Sequence, residues 1–167
     1  MIRIAVIDGQ GAGIGAAIIR AIRQAHGETV EIWALGTNAV ATSQMMKVGA
    51  NRGATGESAI SHCVHQVDVI TGPISIIVSN ALMGEVTPTM AQATGASKAI
   101  KLLLPLTLEP VVIVGAIPAP LPHLVDKLVN EHLSAIMEDR NLPHIRDQSR
   151  SHASSIGSKK PVKYSRA

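Results

Sequence analysis

The sequence contains no phenylalanine, one tryptophan (Trp33), one tyrosine (Tyr164) and one cysteine (Cys63). A single cysteine allows no internal disulfide and excludes a cysteine-rich metal site. So few aromatic rings leave no stacking platform for single-stranded nucleic acid. Long apolar runs are missing as well. The stretch from Leu102 to Val125 is broken by prolines and by Glu109, so it does not read as a membrane span. The opening run from Met1 to Asp8 is too short, and too soon ended by a charge, for a secretory signal. These absences predict a soluble, cytoplasmic protein.

What is present is aliphatic. The 167 residues fit one domain, and 46% of them are hydrophobic, so the core must be packed from Ile, Val, Leu, Ala and Met. Such runs suit a parallel sheet covered on both faces. The net charge is +3, but residues 140–167 hold seven Lys/Arg and one acid. That segment therefore carries +6 and the preceding residues −3. The boundary separates a body, 1–138, from a basic, serine-rich tail, 139–167, expected to be flexible. The tail lacks aromatics and any nucleic-acid reading module, so nucleic acid is not an expected partner.

Periodicity predicts strands at Ile2–Ile7, Thr29–Leu35, Val67–Thr71, Ala99–Leu104 and Val111–Val114. Helices are predicted over Gly13–His26, Asn38–Val48, Glu57–Val64, from Thr87-Pro88 onward, and over Pro122–Met137. Gly49–Gly56 reads as a small-residue loop, Asn80–Pro88 as another, and Ile74–Val78 as either strand or helix start. Alternation of this kind implies an α/β, Rossmann-like three-layer sandwich with a mostly parallel sheet of about five strands.

The run Ile4-Ala-Val-Ile-Asp8-Gly9-Gln10-Gly11-Ala12-Gly13-Ile14-Gly15 is a strand, a glycine-rich turn and a helix start. This arrangement offers backbone N–H groups and a positive helix end to an anion. The expected ligand is a nucleotide, of NAD(P) type, or another phosphorylated small molecule. Asp8, Gly9, Gln10, Gly11, Gly13, Ile14 and Gly15 would line its seat. The spacing Gly9-x-x-x-Gly13-Ile14-Gly15 resembles the cofactor turn of short-chain dehydrogenases. Asp8 stands where that family has a hydroxyl residue, and a carboxylate beside a pyrophosphate is repulsive unless a metal, water or amide intervenes. No Tyr-x-x-x-Lys pair follows, so the resemblance implies a cofactor turn without that family's catalytic pair. Asp8-x-Gln10-x-x-Gly13 also echoes the cobalamin-binding motif, with Gln10 in place of the cobalt-ligating histidine.

Strand two ends at Gly36-Thr37-Asn38, with no acid to hold a ribose diol. Thr37 and Asn38 either cap the next helix or bond a ribose. Thr55 and Asn80 lie on loops that this architecture places around the ligand crevice, and Ser75 follows the third strand there. Glu85 is the one acid between Val69 and Leu108. It joins Asp8 and His123 as a candidate for proton transfer. Lys98 or Lys101 is available to neutralise a phosphate, or simply ends a strand in solvent. His62 and His65 share a helix face but lack a third ligand, so no metal is expected.

The body resembles a family of small bacterial proteins known only as a domain of unknown function. The carrying residues are Ile4–Gly15, Ala34–Asn38, Gly49–Asn51, Gly53–Glu57, Gly72–Ile74, Gly84–Pro88 and Leu121–Leu124. The resemblance implies a Rossmann-like fold and groups Asp8, Thr37, Asn38, Glu57, Glu85 and His123 into one constellation. Three roles stay open. They are an NAD(P)-dependent enzyme, a non-catalytic metabolite sensor or binding subunit, and an assembling protein that forms a homo-oligomer.

Overall fold

The computed structural model describes residues 1–106 and 111–139. Five parallel strands form one sheet: β1 (Ile2–Asp8), β2 (Val30–Gly36), β3 (Arg52–Thr55), β4 (Val69–Pro73) and β5 (Ile100–Leu104), in the order β3-β2-β1-β4-β5. Helices α1 (Gly13–His26) and α2 (Ala39–Lys47) cover one face as the chain steps outward from β1 to β3. Helices α3 (Glu57–Cys63) and α4 (Pro88–Ala96) cover the other face as it returns past β1 to β5. The last helical stretch lies back on the first face. It starts as α5 (Leu121–Asp126), passes through a π-helical segment (Lys127–Leu133) and ends as α6 (Ser134–Glu138).

The aliphatic composition explains both cores. Ile4 and Val6 of β1 pack with Ile18, Ile19 and Ile22 of α1 and with Val129 and Leu133. Ala5 and Ile7, pointing the other way, pack with Leu35, Ile60, Ile70 and Met90. A strand buried on both faces needs no polar alternation, and Ile4 through Ile7 are all at most 2% exposed.

Two strand assignments differ from the sequence reading. Residues 52–55 form edge strand β3, paired with β2 from Trp33↔Arg52 to Gly36↔Thr55. Their sequence, Arg-Gly-Ala-Thr, carries no aliphatic signal because the strand is mostly solvent-exposed. Conversely, Val111–Val114 is not a sheet strand. Val112 and Val114 are 86% and 94% exposed, and Val111 makes an isolated bridge. Four consecutive β-branched or aliphatic residues mimic a strand locally, but the prolines at 105, 118 and 120 bracket them outside the sheet. Ile74–Ile77 is a 3₁₀ turn. The tail from 140 onward lies outside the described residues. Among those described, no helix is long and apolar enough to cross a membrane.

Candidate functional site

Strand order reverses direction between β1 and β4, and the crevice beyond the carboxyl ends of strands at such a switch point is where ligands bind in open α/β sheets. Three loops meet there: the glycine turn after β1, the Thr37-Asn38 turn after β2, and the loop between β4 and α4. The glycine turn folds back through Ala12 N–H donating to Gly9 O at 2.8 Å. Helix α1 has no side-chain cap from Ala12, its adjoining residue. Asp8 supplies one instead. Its Oδ2 accepts from Gly15 N–H at 2.7 Å and its Oδ1 from Gly9 N–H at 2.8 Å.

Asp8 is therefore turned inward, 3% exposed, against the first turn of α1. Burial pushes its carboxyl above the ordinary value of 3.8. The amides of Gly15, Gly9 and Ile14 pull it back, and the charge of Glu85 adds to the rise. The sequence posed Asp8 as a repulsive neighbour for phosphate unless an amide intervened. Two amides are bonded to it directly.

Glu85 arrives from the opposite loop. Its Oε2 accepts from Gln10 N–H at 2.8 Å, Thr37 Oγ1 at 2.5 Å and Asn38 Nδ2 at 3.0 Å. Burial raises this carboxyl, but the three hydrogen bonds outweigh it and hold it below the ordinary 4.5. Among the described residues no cation pairs with it. Of the two parts foreseen for Asn38, the structure shows the cap. Its Oδ1 caps α2 through Ala41 N–H at 2.8 Å, while its amide reaches Glu85 and, at 3.1 Å, Gln10 O.

The glycines of the turn divide into two kinds. A Cβ on Gly9 would lie 2.6 Å from Glu85 Oε2, and one on Gly15 would lie 2.6 Å from Met45 Sδ. Packing forbids both. A Cβ on Gly11 or Gly13 meets nothing within 4 Å, and neither has positive φ. Nothing among the described residues requires glycine at these two positions. Gly95, on the exposed side of α4, shares that freedom, but it stands alone and away from any loop cluster.

Backbone strain gathers at the same place. Among the described residues, the non-glycine positions with positive φ are Gln10 (47°) and Ala12 (52°) in the turn, and Asn80 (64°), Leu82 (54°) and Met83 (57°) in the facing loop. Each costs about 1–2 kcal/mol relative to ordinary backbone. Such strain persists where surrounding structure enforces it, and it clusters at ligand clamps and switch segments.

The remaining candidates fall into place around this centre or away from it. Asn80 shapes the loop through its backbone, donating to Val86 O at 2.7 Å. Thr55 sits one strand further out, its hydroxyl 2.6 Å from that of Thr42. Ser75 is buried. Glu57, at the start of α3, accepts the hydroxyl of Thr87, which also caps α4 through Met90 N–H at 3.2 Å. His123 is exposed on α5 and makes no hydrogen bond to Asp8 or Glu85. Lys98 and Lys101 lie at the entry of β5, the opposite end of the sheet from the crevice, and Lys101 bonds Ser97 O. His62 meets Gln66, and no group of three or more His, Cys, Asp or Glu gathers among the described residues.

The family resemblance had grouped Glu85 with Thr37 without giving the bond between them, and nothing in the sequence showed that Leu82 leans onto Gly9, its Cδ1 2.8 Å from where a Cβ would stand. A hollow of about 240 Å³ beside Trp33, Arg52 and Cys63, and a groove of about 520 Å³ between α1 and α5, lie elsewhere.

No curated protein matches the chain in sequence. Among solved structures it is similar to a dodecameric FMN-dependent UbiX-like decarboxylase from Escherichia coli O157:H7. The two share 16% identity, with a TM-score of 0.44 over 82% of this chain and 94% of that one. Residues 3–137, which span β1 to α6 and hold every residue of the crevice, match the family model described as Domain of unknown function (DUF3842), and the chain belongs to that family.

Proposed function

We propose that the protein binds a nucleotide-type or other phosphorylated small molecule in the crevice formed by the glycine turn, the Thr37-Asn38 turn and the 80–86 loop. The observation that carries this is the pair Gly11 and Gly13. Both are exposed, both are sterically unconstrained by the described residues, and both flank the amino end of a 14-residue helix. Glycine at such positions lets a ligand's phosphate approach the backbone, and the helix end favours its charge.

Binding without turnover is the better supported form of this reading. Both carboxylates at the site, Asp8 and Glu85, are already bonded to fixed donors. His123 stands apart, and among the described residues no further acid or base hydrogen-bonds to them. The protein then acts as a metabolite sensor or a binding subunit.

Native mass spectrometry of the purified full chain identifies a retained ligand directly. A thermal-shift panel of NAD(H), NADP(H), FMN, ADP and inorganic phosphate tests the class. At least one phosphate-bearing compound is expected to raise the melting temperature, and Gly13→Asp to abolish that rise. A flat response across the panel, with no retained ligand, would overturn the proposal.

A further inference from the structure

Three donors converge on one point of the crevice: the amide of Gln10, the hydroxyl of Thr37 and the side-chain amide of Asn38. Their separations from Glu85 Oε2 are 2.8, 2.5 and 3.0 Å. Three neutral donors around one oxygen make a seat for an anion. A carboxylate oxygen fills it, and that carboxylate belongs to the chain. The bare Cα of Gly9 makes the approach possible, since a Cβ there would come within 2.6 Å of the same oxygen.

Glu85 reaches this seat from the tip of a loop whose two ends, Ala81 and Val86, are packed in the core, while Met83 and Gly84 between them are exposed. Residues 80–86 close on themselves through Asn80 N–H to Val86 O and Val86 N–H to Ala81 O. Met83 at the tip is 95% exposed. Leu82 and Glu85 touch the glycine turn, and Asn80, Leu82 and Met83 hold positive φ.

Electrostatics argue against a phosphate and Glu85 sharing the crevice. Asp8 on β1 lies close enough that its carboxyl already feels the charge of Glu85. A phosphate seated beside both would confront two carboxylates, with no cation among the described residues to offset Glu85. With Glu85 gone, one buried carboxylate remains, and the amides of Gly9 and Gly15 are bonded to it.

We propose that Glu85 is a displaceable plug: its carboxylate holds the Gln10–Thr37–Asn38 seat in the free protein, and an anionic oxygen of the ligand takes the seat when the loop tip, residues 83–85, swings away from ends anchored at Ala81 and Val86. The proposal rests on the phosphate-site reading above and assigns that site its regulation. Binding is then taxed by the fraction of time the plug is in place.

Calorimetric titration of the full chain with inorganic phosphate and with ADP tests this, in wild type, Glu85→Gln and Glu85→Ala. The Gln variant keeps the side-chain shape and controls for misfolding of the Ala variant. Removing a plug that is seated more than nine-tenths of the time tightens apparent binding by about tenfold or more. In wild type, saturating ADP is expected to speed hydrogen exchange of the tip amides 84 and 85, which donate to Asn80 O and Leu82 O in the free protein. Binding that is unchanged or weaker in both variants, or a loop that becomes more protected on saturation, would refute the plug while leaving the phosphate site standing. If neither probe binds wild type or either variant, the phosphate site fails and the plug fails with it.

Discussion

Asp8 Oδ2 accepts the amide of Gly15 at 2.7 Å, across the turn that joins β1 to α1. A strand-end carboxylate thus serves as the cap of a helix whose own flanking residue, Ala12, has no side-chain acceptor. One side chain fixes the path of the turn and its height above the sheet.

Removing that cap leaves two buried donors without partners. An unsatisfied buried N–H costs about 1–3 kcal/mol, so Asp8→Ala is expected to destabilise the fold by about 2–4 kcal/mol, a sizeable part of a typical 5–15. Asp8→Asn retains one acceptor and is expected to cost about 1 kcal/mol less. Urea unfolding of the two variants checks the order. An Ala variant as stable as wild type would show that the cap is dispensable.

The four turn glycines should separate by phenotype. Gly15→Ala forces a methyl against Met45 Sδ and Asp8 Cβ, an overpacking worth about 1–3 kcal/mol. Gly9→Ala meets Thr37, Glu85 and Leu82 and should behave alike. Gly11→Ala and Gly13→Ala meet nothing, so their melting temperatures should stay near wild type, while affinity for the bound phosphate compound falls. Melting curves paired with titrations decide this. Equal stability losses at all four positions would remove the distinction on which the site rests.

The sequence revealed the sheet class because aliphatic runs such as Ile4–Ile7 are buried on both faces and leave no other reading. It concealed β3, whose Arg52-Gly53-Ala54-Thr55 contributes pairing to β2 but little apolar burial. Val111–Val114 misled because β-branched residues signal a strand whether or not a neighbouring strand exists to pair with them. At the site, Asp8, Thr37, Asn38 and Glu85 were legible one by one. Only the family resemblance grouped them, since residues 8, 37 and 85 meet only once the order β2-β1-β4 brings three loops together. Local pattern carries no information on such contacts. The capping role of Asp8 was equally hidden, because the amide it holds lies seven residues on, beyond any local capping motif.

Cys63 lines the hollow beside Trp33 and Arg52, and burial pushes its thiol above the ordinary 9.0. The thiolate is the reacting species, so less of it is present at neutral pH than in a free thiol. Iodoacetamide at pH 7.5 is expected to modify Cys63 about several-fold more slowly than it modifies glutathione. Trp33 is the sole tryptophan and lines the same hollow, so its fluorescence should shift as labelling proceeds. A rate equal to that of glutathione would contradict the assigned environment.

The two carboxyls of the crevice should shape acid stability in opposite senses. The folded value of Glu85 lies below its ordinary 4.5. In that case the unfolded chain takes up the proton first, so the stabilising contribution is complete above 4.5 and disappears as pH falls through the depressed folded value. Asp8 is raised above 3.8. The folded chain holds its proton longer than the unfolded one, so stability declines as pH rises from 3.8 through the folded value. Glu85→Gln deletes the first effect and relieves part of the second, because the Glu85 charge contributes to the rise at Asp8. The difference in melting temperature between wild type and Glu85→Gln isolates these two groups from the other titrating residues. It is expected to favour wild type near pH 6 and to shrink, or change sign, as pH falls below 4.5. A difference that stays constant between pH 6 and pH 3 would mean that Glu85 does not hold the seat as an ionised carboxylate.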